Sequence, residues 1–531
     1  MRLNDLSRPF LPILHFCMLV ATVAILCAVV FANQHLPSWY DETCLVDPAY
    51  YKVTEGVWKT RMEFDSLDIE PFAVKYPLLI GLNWLILKCF GVNFSVLRGT
   101  MLFFGLIPVG GLLWLARRRG MLRSWEEVLQ ATFFMACFGF FYWALYIRPE
   151  AIVLAVGFLL VLFWLADRLL PLFLTAVCIP LCGLHWDVLV LPAIWGWLIW
   201  GGRMRKPLAV VAGALLGSVG VVIWYHLAGM WASYLLEAQR GMSPSIAGNV
   251  TGFVRDFFLE VNLNRLGGHG YPSNAFLCSL WIYGLGACSL KFFPIASVDK
   301  KTFLFFLLSL FSVIPSLAAA AWLNDHYTRL LVPLSCLLAP LLFRGVWRKY
   351  PLLLFAGSLL SLLVCYDIWL YARYSKEAGT RINIWVDEPA LESSLADILS
   401  SRDVVLADSP AYFAVRSRGA EMFPMCYAFD LSEEQIRSCS AVLIEDRVSY
   451  TGQRDYSDFR KTSWSKTLKG RFADAGLDRC LSPDEILEAV AEHWHCSFTE
   501  ETLALPSLDR ALRFRLFRPV FMDDGEGAEG V

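Results

Sequence analysis

Charged residues are scarce in this sequence. Asp, Glu, Lys and Arg together make up only 18% of the 531 residues, while 57% of the residues are hydrophobic and the mean hydropathy is +0.51. An average soluble domain is about a quarter charged and about half apolar. The shortage of charge therefore excludes an ordinary soluble protein and predicts an integral membrane protein.

The sequence also lacks a broad basic face and a zinc-ligand motif. Its Lys and Arg residues fall in short clusters between apolar runs, and the net charge is -2, so nucleic acid is not an expected partner. No spacing of the 15 Cys and 8 His residues resembles a zinc site. The basic clusters instead indicate how the chain is oriented in a membrane.

A convincing signal-peptide cleavage site is missing as well. The basic N-terminus is followed by an apolar run, residues 10–32, that is longer than the apolar part of a typical signal peptide. No convincing small-residue cleavage site follows Phe31. We therefore expect a retained signal anchor that crosses the bilayer.

Two adjacent carboxylates, Asp41 and Glu42, come just beyond this first apolar run, directly after Trp39 and Tyr40. Their position predicts that they lie at the membrane surface, where the aromatic pair suits the headgroup layer. Ionisable residues beside the hydrocarbon boundary often mark a functional site. The alternative is that the two acids simply begin a solvated loop.

Residues 76–90 decide the predicted topology. This apolar segment is short for a membrane span and equally suited to a helix that lies in the interface. If it stays in the interface, Arg117, Arg118 and Arg119 fall on the side of the N-terminus, as the positive-inside rule favours. The sequence then predicts about eleven spans, a cytoplasmic N-terminus and an external C-terminus. The predicted spans cover residues 10–32, 97–116, 128–147, 151–166, 172–184, 188–200, 208–227, 275–293, 303–323, 330–343 and 351–371.

The predicted external loops carry acids, bases and histidines, whereas the predicted cytoplasmic loops carry plain Lys and Arg clusters. This asymmetry predicts a polar cavity at one face of the bilayer. For any single residue, the alternative is an ordinary polar residue at a helix end. The external residues in question are Asp41, Glu42, Asp47, Lys75, Arg148, Glu150, His185, Asp187, Asp325, His326 and Arg329.

Residues 372–531 have the composition of a soluble domain. Short apolar runs predict strands at 403–407 and 441–444, helical periodicity covers 390–399 and 483–493, and an alternating pattern predicts a late strand at 513–517. We therefore expect a small α/β domain at the C-terminus, after a membrane domain over residues 1–371.

The C-terminal domain holds four cysteines, Cys426, Cys439, Cys480 and Cys496. In an oxidising compartment they could form two disulfides, in any of three pairings. His493 and His495 lie two residues apart at a predicted helix end. Because that spacing points the two imidazoles away from each other, surface histidines are expected here and not metal ligands.

Several of these residues together resemble a family of membrane glycosyltransferases. The matching residues are Asp41 and Glu42 after the first span, Lys75 to Leu79 before the interfacial segment, Arg98 at the entry to a span, and Arg148 to Glu150 at the end of another. The chain is similar to the GT-C glycosyltransferases, and within these to the protein O-mannosyltransferase and aminoarabinose transferase superfamily. The likeness is greatest to its bacterial branch of lipopolysaccharide galacturonosyltransferases and extends to about residue 200.

The resemblance implies a fold and an activity. The fold is mainly α: a polytopic transmembrane helical GT-C bundle with interfacial helices, followed by a soluble α/β domain outside the membrane. The activity is an inverting transfer of a sugar from a polyprenyl-phosphate carrier to an envelope glycolipid, such as lipid A or core, on the outer face of the inner membrane. The expected partners are this donor, the acceptor and membrane lipids, without a cofactor or metal.

The resemblance and the chemistry together suggest roles for individual residues. Asp41 matches the family's first-loop acid and would take the proton of the acceptor hydroxyl, with Glu42 orienting it or shifting its pKa. Cations are needed where negative charge grows on the departing phosphate. The candidates for this role are Lys75, which matches a family position, and Arg148, His326 and Arg329. Further candidates for the cavity are Glu150, His185 and Asp187.

Three other functions compete with this one. A protein O-glycosyltransferase of the same fold would use a protein as acceptor. A lipid or sugar transporter would place ionisable groups near the bilayer midplane and often shows internal repeats. The predicted spans are almost free of charge and no repeat is visible, which favours the enzyme. A non-catalytic scaffold would not require acids and bases to gather outside the membrane.

Overall fold

The chain was analysed as a computed structural model, which describes residues 10–35, 40–62, 71–72, 74–137, 146–183, 186–202, 204–235, 300–312, 332–349, 351–363, 387–429, 431–445, 483–501, 503 and 514–521. It divides into two compact units. The first unit consists of Met1–Gln34, Pro71–Asn83 and Leu97–Ala372. The second unit consists of His35–Glu70, Trp84–Val96 and Arg373–Val531. The division predicted at residue 371 stays a prediction, and the structure adds segments before residue 97 to the C-terminal unit.

The regular structure described up to residue 363 is helical. Its α-helices are α1 (Phe10–His35), α2 (Tyr40–Thr54), α3 (Pro77–Phe90), α4 (Phe94–Arg118), α5 (Trp125–Cys137), α6 (Pro149–Leu165), α7 (Leu169–Val177), α8 (Trp186–Trp200), α9 (Arg205–Leu227), α10 (Lys300–Phe311), α11 (Val332–Lys349) and α12 (Pro351–Leu363). A 3₁₀ turn, Ile179–Cys182, follows α7. Most of these helices overlap the predicted apolar runs. The predicted span 172–184 is divided between α7 and the 3₁₀ turn, and α2 was not predicted. The predicted span 275–293 lies outside the described residues.

Among the described residues, three helices are long and apolar enough to cross a membrane: Leu11–Phe31, Phe94–Arg118 and Arg205–Leu227. In α9 the apolar side chains of Leu215 and Val219 are 63% and 54% exposed. An extended apolar surface of this kind suits contact with lipid better than contact with water. The structure thus supports a mostly helical protein with membrane-spanning capacity, while the predicted number of spans stays a prediction.

Helix α3 covers most of the segment on which the predicted topology depends. Its 14 residues extend about 21 Å at the usual rise of an α-helix, which is less than the thickness of a bilayer's hydrocarbon core. The length is therefore compatible with a helix in the interface. The structure contains no membrane, so the interfacial position of α3 stays a prediction.

Glycines allow close helix packing in the first unit. A Cβ atom on Gly213 of α9 would lie 2.6 Å from the carbonyl oxygen of Phe173 in α7, and one on Gly217 would collide with the carbonyl of Val177. Backbones can approach this closely only where the side chains are minimal, as is common between membrane helices. These glycines therefore determine how α9 packs against α7.

The C-terminal part of the second unit contains a five-stranded mixed sheet. Its elements are α13 (Glu388–Leu395), β1 (Val404–Ala407), α14 (Tyr412–Ser417), β2 (Glu421–Pro424), α15 (Glu433–Ser438), β3 (Ala441–Glu445), α16 (Pro483–Trp494), β4 (Cys496–Glu501) and β5 (Phe514–Phe521). The strand order is β2-β1-β3-β5-β4. β1 pairs parallel with β2 and β3, and β5 pairs antiparallel with β3 and β4. The predicted small α/β region is thus confirmed at the level of its secondary structure.

The sequence missed β2 and β4. Both are edge strands of the sheet. β4 is largely polar, and β2 has only four residues and ends in a proline. Neither strand carries the continuous apolar run that revealed β1 and β3, because an edge strand pairs on one side only.

Helix α16 packs on this part of the fold, where the Trp494 indole N–H donates a 2.8 Å hydrogen bond to the Ala428 carbonyl.

Cys439 and Cys496 carry free, buried thiols. Burial raises the pKa of Cys439 to about 12 and that of Cys496 to about 11, so both remain protonated at neutral pH. A pair of disulfides would need all four C-terminal cysteines, and this arrangement is not present in the structure.

α16 ends at Trp494, and His495 has a positive φ of 50°. The described residues contain no group of His, Cys, Asp or Glu that could hold a metal ion.

Candidate functional site

Asp41 and Glu42 lie in the first turn of α2. Carboxylates are favoured at this position, because the backbone dipoles of a helix give its N-terminus a partial positive charge. The Glu42 side chain is completely buried. The side chain of Asp41 lies outside the described part of the structure, as does the whole of Trp39. The structure therefore places the acidic pair on a helix and not on an irregular solvated loop.

Lys75 lies in a turn that two other segments hold in place. Its side chain is exposed, and the preceding Val74 carbonyl accepts a 2.5 Å hydrogen bond from the hydroxyl of Tyr225, near the end of α9. The following residue, Tyr76, packs against Gly183, where a Cβ atom would lie 2.5 Å from the tyrosine ring. Gly183 has a φ of 86°, a conformation that other residues rarely adopt. The Lys75 turn is thus fixed from both sides.

A series of stacked rings supports Tyr225. Its ring stacks on Tyr234 with 4.8 Å between centroids, Tyr234 stacks on Trp231 at 5.5 Å, and Trp231 stacks on His226 at 4.5 Å. The Trp224 ring also stacks on Tyr225, with 5.2 Å between centroids. Such stacking limits the rotamers available to Tyr225. The hydroxyl that binds the Lys75 turn therefore has a defined position.

Arg148 and Glu150 form a two-pronged ion pair at the beginning of α6. Arg148 Nε lies 3.1 Å from Glu150 Oε2, and Arg148 Nη2 lies 3.2 Å from Oε1. The two residues are only 6% and 1% exposed. Pro149 begins the helix, a position that suits proline because the first helical N–H needs no partner within the helix. The Arg-Pro-Glu sequence therefore produces a buried charged pair at a helix start.

Arg98 and Asp187 are also buried charges at helix starts. Arg98 donates a 3.0 Å hydrogen bond to the Asn33 carbonyl near the end of α1, and its guanidinium lies 5.1 Å from the centroid of the Tyr146 ring. Arg98 thereby connects α1, the start of α4 and the segment before Arg148. Asp187 is fully buried in the first turn of α8 and accepts a 2.9 Å hydrogen bond from the N–H of Val188.

The other ends of the same helices meet in a separate group, which we call the basic end. Arg119, just after α4, donates a 2.7 Å hydrogen bond to the carbonyl of Leu165 at the end of α6. Lys206, at the start of α9, donates to Trp164 and forms an ion pair with Asp167 at 2.8 Å. Helices α4 and α6 thus start together at Arg98 and Tyr146 and end together at the basic end.

The second unit contains a buried polar network that sequence reasoning did not find. Asp47 Oδ1 accepts hydrogen bonds from the Tyr412 hydroxyl at 2.9 Å and from Arg416 Nη2 at 2.8 Å. Asp47 Oδ2 accepts from Thr60 Oγ1 at 3.0 Å and from the backbone N–H of Arg61 at 2.7 Å. Each oxygen of the Asp47 carboxylate thus accepts two hydrogen bonds. Asp47 had been only one of several external polar residues in the sequence, and nothing in its spacing indicated residue 416 as its partner.

Burial and the charge of Asp47 shift the pKa values of Arg416 and Tyr412 in this network. Burial alone would lower the pKa of Arg416, but the negative charge of Asp47 raises it well above its ordinary value. Burial, and then Asp47, raise the pKa of Tyr412 well above its ordinary value. The guanidinium of Arg416 lies over the rings of Tyr50 and Tyr51, at 4.7 and 4.8 Å from their centroids. The aromatic surroundings exclude water from the ion pair and strengthen it.

The residues predicted for the site fall into three sets. Lys75, Arg148, Glu150 and Asp187 belong to the first unit, and among them the structure directly pairs Arg148 with Glu150. Asp41 and Glu42 belong to the second unit. His185, His326 and Arg329 lie outside the described residues, so their roles stay predictions, as do those of the others. Comparison with protein-family models and with curated proteins found no match for this chain.

Proposed function

We propose that this protein is a membrane glycosyltransferase that transfers a sugar from a polyprenyl-phosphate donor to an envelope glycolipid, with inversion at the anomeric carbon. The observation that supports this best is the distribution of polar groups along the helices of the first unit. Arg98, Arg148 and Glu150 are buried at the starts of α4 and α6. The basic end carries Arg119 and Lys206, together with the exposed carboxylate of Asp167. A polar face of this kind is what chemistry at one membrane surface requires.

The reaction assigns a task to each charged group. The acceptor hydroxyl oxygen forms a bond to the anomeric carbon, the bond from that carbon to the phosphate oxygen breaks, and polyprenyl phosphate leaves. We propose that Asp41 takes the proton of the hydroxyl, with Glu42 orienting it. Lys75, Arg148, His326 and Arg329 would stabilise the negative charge that grows on the leaving phosphate.

Fixed positions for these groups are an advantage for catalysis. Hydrogen-bond donors and charges stabilise a transition state best when they need not reorganise during the reaction. The Lys75 turn, held by Tyr225 and Gly183, and the paired Arg148 fit this requirement. The exposed apolar side chains of α9 suit a chain that meets its lipid-linked donor in the bilayer.

Two alternatives differ in what they predict. A protein O-glycosyltransferase would use the same residues on a protein acceptor. A transporter would need ionisable groups near the middle of its spans. In α9 the charges lie within the first two residues, Arg205 and Lys206, and the remainder up to His226 is uncharged. This pattern favours chemistry at a membrane surface over passage through it.

The first experiment is glycan mass analysis of the envelope lipids from cells with the gene, without it, and with Asp41→Asn. Loss of a general base typically lowers the rate about 10²- to 10⁴-fold. We therefore expect one sugar to disappear from a glycolipid in both the deletion and the variant. Asp167→Asn is the matched control, because it makes the same substitution at an exposed residue of the basic end.

The outcomes of this experiment separate the candidates. A glycolipid that loses its sugar in the deletion but keeps it in Asp41→Asn would reject Asp41 as the base. Unchanged lipids would require the same analysis of exported proteins, where loss of a sugar would indicate the protein O-glycosyltransferase. If those are unchanged too, the transporter becomes the leading candidate.

A further inference from the structure

We infer that Arg416 is a positioning residue for Asp41 and Glu42, which it holds in place through its ion pair with Asp47 on the same helix. The inference rests on the proposed function, since that function gives the two acids their catalytic role. All of these residues belong to the second unit. The C-terminal sheet region would then be a working part of the enzyme and not an appended domain.

Helix α2 needs support from outside itself, because Pro48 lies in its interior. Proline has no N–H to donate to the carbonyl four residues earlier, and its ring crowds that carbonyl. The residue before a proline is also driven away from the helical conformation, and here that residue is Asp47. The N-terminal half of α2, which carries Asp41 and Glu42, therefore depends on tertiary contacts near residue 47.

The contacts of Asp47 supply this support. Its carboxylate accepts two hydrogen bonds from α14, through Tyr412 and Arg416, and two from residues 60–61. Four accepted hydrogen bonds fix both the position and the orientation of the carboxylate. Because Asp47 is itself a residue of α2, the helix is fixed at the point where its proline weakens it.

Arg416 is in turn held rigidly by its surroundings. It donates a 3.0 Å hydrogen bond to the hydroxyl of Tyr51 and a 3.3 Å hydrogen bond to the Ala420 carbonyl, at the end of its own segment. It is 2% exposed. The planar guanidinium thus joins α14 to two residues of α2, Asp47 and Tyr51. A lysine ammonium has no comparable fork and could not make all of these contacts together.

The distance from the ion pair to the acids is short. Asp41 and Glu42 precede Asp47 by six and five residues, about 8 to 9 Å along a regular helix. A rotation or shift of α2 about residue 47 therefore moves the acids directly. Displacing a catalytic group by about 1 Å can reduce a rate by about 10²-fold.

The test uses the full-length protein in detergent and compares Arg416→Gln with wild type by hydrogen–deuterium exchange. In a regular helix the amides of Leu45 and Val46 donate to the carbonyls of Asp41 and Glu42, so they report on the first turn of α2. We expect these amides to exchange at least tenfold faster in Arg416→Gln, while the amides of β1 and β3 exchange as in wild type. Arg416→Lys should restore part of the protection.

Two further variants keep the test decisive. Tyr412→Phe removes one hydrogen bond to Asp47 and leaves the ion pair, so it should raise exchange at Leu45 and Val46 even if Arg416→Gln does not fold. Arg437→Gln is the matched control: it makes the same substitution in an exposed pair with Glu433 on α15 and should change nothing. In cells, we expect Arg416→Gln to lower the sugar-bearing glycolipid at least tenfold.

The results separate this inference from the proposed function. Wild-type exchange at Leu45 and Val46 in both Arg416→Gln and Tyr412→Phe overturns the inference, whatever the glycolipid analysis gives. So does faster exchange with undiminished glycolipid. Faster exchange in a protein whose deletion changes neither lipids nor exported proteins rejects the proposed function, and with it the catalytic purpose assigned to Arg416.

Discussion

Arg344–Glu127 in the first unit and Arg416–Asp47 in the second are both buried ion pairs between distant parts of the chain, but their surroundings differ. Arg344 Nε lies 2.5 Å from Glu127 Oε1, and the remaining partners are backbone groups, the Met121 carbonyl and the N–H of Arg123. Arg416–Asp47 also has two backbone partners, the Arg61 N–H and the Ala420 carbonyl, but it adds hydroxyl groups of two tyrosines and a threonine.

The difference follows from where each pair lies. Glu127 is in the first turn of α5, and Arg344 is near the end of α11. Helix ends leave backbone N–H and carbonyl groups without partners, and a charged pair can satisfy some of them. Asp47 instead lies in the interior of α2. Arg416 is in the last turn of the short helix α14, but hydroxyl side chains complete the contacts of this pair. A pair of the first kind stabilises helix ends, whereas one of the second kind can define the position of a helix.

The largest effect is expected from breaking Arg344–Glu127. Arg344→Met leaves the Glu127 carboxylate buried without its cation, which typically costs about 3 to 5 kcal/mol of unfolding free energy. The double variant with Glu127→Met removes both charges and should cost less than Arg344→Met alone. Reversible denaturation in detergent measures Arg344→Met, Glu127→Met and the double variant. If the losses of the two single variants simply add in the double variant, the pair is not coupled.

The charge clusters of the first unit were visible in the sequence, unlike the partners of Asp47. The clusters around Arg117 and Arg344 follow from the tendency of charge to leave the apolar stretches of a membrane protein, and the pattern is visible along the sequence. The contacts of Arg119 with Leu165 and of Lys206 with Trp164 join segments that the alternation of loops assigned to the same side. The long apolar helices and the central strands β1 and β3 were predictable for the same reason, because burial of apolar residues leaves a local pattern. The helices α2, α14 and α15 were not predicted.

The site was less predictable, because its supports are long-range contacts. Asp47 and Arg416 are 369 residues apart, and neither has a local pattern that indicates the other. Tyr225 binds the backbone of Val74 at a separation of 151 residues. Polar residues that meet only in the folded state cannot be paired by spacing or periodicity. The sequence therefore indicated which chemical groups exist but not what holds them.

A smaller effect is expected at the Lys75 turn. Gly183→Ala introduces a side chain at a backbone conformation that essentially only glycine adopts, and the new Cβ atom meets the Tyr76 ring. We expect a loss of about 2 to 3 kcal/mol in unfolding free energy, from backbone strain and overpacking together.

A glycine elsewhere separates these two contributions. Gly120 also has a positive φ, 73°, but no atom lies within 4 Å of a Cβ atom placed on it. Gly120→Ala should therefore cost only the backbone strain, about 1 kcal/mol. Denaturation in detergent compares the two variants directly. Equal losses would mean that Tyr76 moves aside freely and that Gly183 does not hold the Lys75 turn.

The smallest effect concerns a carboxylate of the second unit that is only partly buried. Burial would raise the pKa of Asp403, but hydrogen bonds from the Ser440 hydroxyl at 2.6 Å and from Ser400 outweigh it and lower the pKa. A pKa lowered by folding stabilises the protein above the unfolded value of about 3.9, and this contribution is lost as the pH falls through the folded pKa. Asp403→Asn should therefore lower stability at pH 6 by about 1 kcal/mol or less, since solvent screens a partly exposed group. The difference from wild type should shrink below about pH 4, when followed by the amide I band of the sheet.

Glu433→Gln, in an exposed pair on α15, is the control for loss of a negative charge. A difference that stays constant down to pH 3 would mean that the Ser440 and Ser400 hydrogen bonds do not depend on the charge of Asp403.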